Sequence, residues 1–98
     1  MEALVLVTRL DDLVNMASTE NKYEKASVYA ANKAILFTFE SSKLSSNQKI
    51  MELLRASCFY INAAIGYELI ISKTPEQCLT KARDKLIELR NIINIYYL

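Results

Sequence analysis

A single glycine, Gly66, and a single proline, Pro75, constrain this chain of 98 residues more than any other feature of it. Turns, bulges and strand ends draw on those two residue types for backbone conformations that others avoid. A sheet protein of this length needs many such positions. The expectation is therefore all-α: a few long helices and little else. Ala, Leu, Ile, Lys and Glu are abundant, as helices favour.

Apolar spacing places the helices. Ala3, Leu6, Leu10, Leu13 and Ala17 recur at alternating steps of three and four, which aligns them on one side of a first helix from about Glu2 to Ala17. The Ser18-Thr19-Glu20-Asn21 stretch breaks it, because these side chains compete for backbone hydrogen bonds. Ser18, Thr19 or Asn21 (the last with Glu24 three residues on) caps a second helix, about Lys22 to Lys43. That helix is apolar almost all round from Ala26 to Phe39, with Val28, Tyr29, Ala31, Ala34, Ile35, Leu36, Phe37 and Phe39.

A serine-rich loop ends the second helix, and Ser45 with Gln48 has capping-box spacing for a third, about 46 to 71. Its main row is Leu54, Cys58, Ile61, Ile65 and Leu69. Gly66 falls within this span, where it costs about 1 kcal/mol relative to Ala, so close approach of a neighbouring helix backbone is expected there. Thr74-Pro75-Glu76-Gln77 is the sharpest boundary. Thr74 caps, Pro75 takes the first helical position, where its missing N–H is harmless, and Gln77 closes the box. The fourth helix, 75–97, carries Leu79, Ala82, Leu86, Leu89, Ile93 and Tyr96 as one seam.

Four helices with short connections imply an antiparallel up-down-up-down four-helix bundle, one domain spanning 1–98. Net charge is +1, from twelve basic and eleven acidic residues, which gives no global pull toward nucleic acid or anionic lipid. The start lacks a basic n-region, so it does not read as a signal peptide. The apolar runs fall short of the ~20 residues of a membrane span. A cytoplasmic chain without membrane contact is expected, with Cys58 and Cys78 as free core thiols.

There is no histidine. That removes the usual general base near neutral pH, the commonest metal ligand and the Ser–His and Cys–His pairs. One glycine allows no phosphate-binding loop. No catalytic, cofactor or metal residues are expected, and the chain is read as not an enzyme. The competing reading is a small all-helical enzyme or ligand-binding bundle using Glu68, Arg55 and Arg83 in an interhelical pocket. Arg9-Leu10-Asp11-Asp12 resembles the first helix of chorismate mutases, but the later basic positions of those enzymes have no counterpart here.

Surplus apolar residues point instead to protein–protein contact. A bundle of this size spares a polar face on each helix. Here Ile87, Ile92, Ile95, Tyr96 and Tyr97, with Phe37 and Phe39, exceed what one core needs, and they are the expected interface of a homo-oligomer or a partner complex. Lys81, Arg83, Lys85 and Arg90 are the candidate nucleic-acid contacts.

The stretch from Leu54 to Leu69, the break at Ser72-Lys73-Thr74-Pro75, and Lys85-Leu86-Ile87-Glu88-Leu89-Arg90-Asn91-Ile92-Ile93 together resemble the final hairpin of a known family. It comprises the four-helix-bundle proteins encoded in ribosomal intervening sequences and the related accessory variability determinant (Avd) proteins of diversity-generating retroelements. Glu88 stands where that family has an acid, whereas Arg90 and Asn91 replace its Gly and Arg. The resemblance implies an oligomer, and on the Avd side an accessory subunit of a reverse transcriptase and its RNA. The small helical subunits of CRISPR effector complexes are an alternative non-enzymatic home.

Overall fold

The structure, a computed structural model, describes the backbone of residues 2–97 and the side chains of residues 3–96. It contains four α-helices: α1 (Glu2–Met16), α2 (Lys22–Glu40), α3 (Gln48–Ala64) and α4 (Pro75–Tyr97). A 3-10 turn, Lys43–Ser46, lies between α2 and α3, and among the described residues there is no strand.

Each helix packs on its neighbour in chain order, and α4 closes the ring onto α1. Residue pairs give the directions. Asp11 meets Arg90, while Ala17 and Leu79 line one recess, so α1 and α4 run in opposite senses. Asn32 reaches Cys58 and Asn62, and Glu40 reaches Arg55, so α2 and α3 do the same. The molecule measures 37 × 25 × 18 Å, two helix layers thick and about as long as α4.

The core is one cluster built from one face of every helix. Leu6, Val7, Leu10, Leu13 and Val14 come from α1, and Val28, Ile35 and Phe39 from α2. From α3 come Ile50, Met51, Leu53, Leu54, Cys58 and Ile61, and from α4 Cys78, Leu79, Ala82, Leu86, Leu89 and Ile93. Leu44 of the 3-10 turn closes one end.

Helix starts are fixed by side-chain caps. Asn21 is the N-cap of α2, its Oδ1 accepting from the Tyr23 N–H at 2.8 Å and the Glu24 N–H at 3.2 Å, and the Thr19 hydroxyl donates to the Glu24 carboxylate. At α4 the capping box forms as its sequence implies. The Gln77 N–H donates to Thr74 Oγ1 at 3.2 Å, and the Thr74 N–H to Gln77 Oε1 at 2.9 Å. At α3 the cap is Asn47, not Ser45, and the Ile50 N–H donates to its Oδ1 at 3.1 Å. Ser45 is instead held in the 3-10 turn, donating its hydroxyl to the Ser42 carbonyl.

The largest departure from the sequence reading is the end of α3. The helix stops at Ala64 rather than near Ile71. Gly66 adopts φ +85°, the left-handed conformation in which a Cβ is strained. The Gly66 N–H donates to the Ala63 carbonyl at 3.1 Å and the Tyr67 N–H to the Asn62 carbonyl at 2.8 Å, the paired bonds of a Schellman cap. No other atom lies within 4 Å of where a Gly66 Cβ would stand, so the glycine serves backbone conformation and no helix approaches it. Residues 65–74 form a connection instead of two more helical turns. Tyr67 stacks on Tyr29 of α2 with ring centroids 4.4 Å apart, and Lys33 Nζ sits 5.2 Å from the Tyr29 centroid.

Candidate protein-contact surfaces

The side chains expected to form an interface divide into three groups. Ile87, Ile95 and Tyr96 of α4 and Phe37 of α2 are exposed, with Phe37 at 70% and Ile95 at 71%. Ile92 is partly buried and packs against the core. Phe39 is fully buried, which corrects its assignment to a surface. The buried row of α2 is Val28, Asn32, Ile35 and Phe39, spaced four, three and four. Phe37, two residues earlier, is carried about 200° round the helix to the opposite side. The Tyr97 side chain lies outside the described residues.

Tyr96 also leaves the seam assigned to it. An α-helix drifts by about 20° per heptad against a 3-4 repeat, so each later member of the Ala82–Leu89–Tyr96 series turns further toward the flank. Ala82 and Leu89 are fully buried, whereas Tyr96 is 70% exposed.

Two further exposed apolar sets stand out beside the expected interface residues. The first is the α3–α4 connection, where Leu69 is 82% and Ile71 92% exposed beside Tyr67. Leu69 continues the Leu54–Ile65 spacing, so a helix through it looked regular, and Gly66 was the one signal of the break. The second is the outer face of α2, where Tyr23, Ala26, Ala30, Ala34 and Phe37 are all exposed. Their spacing of three, four, four and three marks a second helical stripe. The nearly continuous apolar content of α2 masks these two opposed rows in the sequence.

The basic residues of α4 do not form one patch. Arg90 donates to the Asp11 carboxylate of α1, on the α1 flank, and Arg83 lies on that side also. Lys81 and Lys85 lie on the other flank, with the acids Asp84 and Glu88 between. Exposed Arg55 pairs with Glu40 at 3.3 Å.

Glu68 lies in the α3–α4 connection, not within a helix, and is exposed. It lines a recess with Ala63, Leu69, Lys73 and Cys78 that includes neither Arg55 nor Arg83. The interhelical pocket expected from those three side chains is therefore not assembled. Among the described residues no group of three His, Cys, Asp or Glu is placed to hold a metal ion, and no helix is long and apolar enough to cross a membrane.

Both cysteines are free and buried. Burial, and secondarily the Glu40 carboxylate, push the Cys58 thiol up from 9.0 to about 12, which makes it a poor nucleophile. The buried polar group of most consequence is Asn32. Its Nδ2 donates to the Cys58 carbonyl at 2.9 Å and to Asn62 Oδ1 at 2.8 Å, while its own Oδ1 has no hydrogen-bond partner.

In comparisons with protein-family models, curated proteins and solved structures, nothing matches the chain.

Proposed function

We propose that this chain is a non-catalytic helical bundle that works through its protein-contact surfaces, as a homo-oligomer or as an accessory subunit of a larger assembly. The observation that carries the proposal is the distribution of large apolar side chains. The core is complete, with all four helices contributing, yet Phe37, Ile87, Ile95, Tyr96, Leu69 and Ile71 remain on the surface. Single exposed apolar residues are ordinary, but several on one small bundle mark contact surfaces. A buried Cys58 thiol pushed upward, a lack of histidine and dispersed charges support a contact role over chemistry.

An RNA-containing assembly, which the resemblance to the Avd proteins implies, draws less support. Arg90 is tied to Asp11, and the remaining basic residues of α4 are divided between two flanks. The protein-contact reading is therefore preferred.

Static light scattering on increasing concentrations tests it. The mass is expected to rise above the 11.2 kDa of one chain. Ile87→Glu with Ile95→Glu reports whether α4 contributes, because both side chains are exposed, and circular dichroism checks that the helices stay folded. A mass that stays at one chain into the hundreds-of-micromolar range would contradict self-association.

A further inference from the structure

We propose that the Asn32–Asn62 pair is an orientation lock. It selects which face of α2 turns inward against α3, and so which side chains α2 leaves on the surface. The inference does not depend on self-association.

Apolar packing alone leaves the rotation of α2 loosely set. At ~100° per residue, Val28, Ile35 and Ala31 lie to one side of Asn32, and Leu36 and Tyr29 lie to the other. These all pack in or against the core, so the apolar arc of α2 is about 160° wide. A turn of the helix that moves Leu36 and Tyr29 inward, or Ile35 and Ala31, exchanges one apolar contact for another. Asn32 stands in the middle of that arc and is only 1% exposed. It does not tolerate the exchange.

In the observed orientation both amide hydrogens of Asn32 are used. Nδ2 donates to the Cys58 carbonyl at 2.9 Å and to Asn62 Oδ1 at 2.8 Å, two acceptors one turn apart on α3. A rotated α2 draws Nδ2 away from both and leaves a buried amide unpaired, which costs roughly 1–3 kcal/mol. A slip of one turn toward the start of α3 sets Asn32 beside Leu54 and Cys58, whose side chains offer no amide oxygen. A slip the other way passes the end of α3 at Ala64.

Stability does not explain the choice of residue. Asn32 Oδ1 has no hydrogen-bond partner among the described residues, a penalty that an apolar side chain would not carry. Buried polar groups of little net stability fix helix alignment because misaligned packings leave them unpaired.

Asn32→Leu with Asn62→Leu removes the lock without leaving an unpaired side-chain amide. Circular dichroism is expected to show unchanged helicity. Proton–nitrogen correlation spectra are expected to give multiple or broadened cross-peaks for α2 and α3 amides. A dye that binds exposed apolar clusters should gain fluorescence several-fold over the wild type at the same concentration.

A single sharp set of resonances with the wild-type α2–α3 nuclear Overhauser contacts would overturn the proposal. Asn32→Val with Asn62→Ala adds less volume and covers the case in which the leucines prevent folding. If that pair also abolishes helicity, the two amides support stability instead of orientation and the proposal falls.

Discussion

Asn32 is almost completely buried between α2 and α3 and satisfies only its donor side. A buried polar group short of a partner is destabilising by roughly 1–3 kcal/mol. Asn32→Ala removes two hydrogen bonds and leaves a gap, so it is expected to lower the unfolding free energy by about 1–3 kcal/mol in urea denaturation. Asn32→Leu combined with Asn62→Leu removes donor, acceptor and orphan together and is expected to be near neutral. An unchanged midpoint for Asn32→Ala would show that the amide contributes nothing.

Cys58 gives a pH-dependent counterpart. Its folded thiol is pushed up to about 12 from 9.0, so the native state keeps a proton that the unfolded chain loses first. Its stabilising contribution is complete below about pH 9 and declines as pH rises toward 12, by up to about 1.4 kcal/mol per pH unit. The stability difference between wild type and Cys58→Ala, from urea melts at pH 8 and pH 10.5, should shrink at the higher pH. A constant difference would count against the shift.

At the scale of elements, the ends of α3 and α4 are set by different local chemistry. Gly66 has open space for a side chain but a positive φ, so Gly66→Ala is expected to destabilise by about 1–2 kcal/mol through backbone strain alone. Thr74→Ala removes the acceptor of the Gln77 N–H and is expected to cost a similar amount, about 0.5–2 kcal/mol. Thermal melts check both.

The start of α4 was legible because Thr74, Pro75 and Gln77 each act within one turn. The end of α3 was not. Tyr67 to Ile71 keep a helix-like apolar content, and the deciding fact is a backbone angle at one residue. The same holds at α2. Val28, Ile35, Phe37 and Phe39 are apolar by type, but which row faces the core depends on where α1 and α3 lie, so the sequence does not separate the buried Phe39 from the exposed Phe37.

At the scale of the molecule, a bundle only 18 Å thick gives every helix an outer face, and the disposition of those faces decides what the chain can bind. Helix number and the α1 and α4 seams were readable because a buried stripe repeats at helical spacing. The surfaces were not, since burial is a property of the assembled bundle. The α4 tail, the Leu69–Ile71 connection and the outer face of α2 each carry exposed apolar side chains.

Sedimentation equilibrium of the wild-type chain, set against Phe37→Glu at matched concentrations, tests the central claim most directly. The wild-type mass is expected to climb from 11.2 kDa toward twice that value with concentration. The Phe37→Glu mass should remain at a single chain with its helicity unchanged. A wild-type mass fixed at one chain across the whole range would contradict self-association.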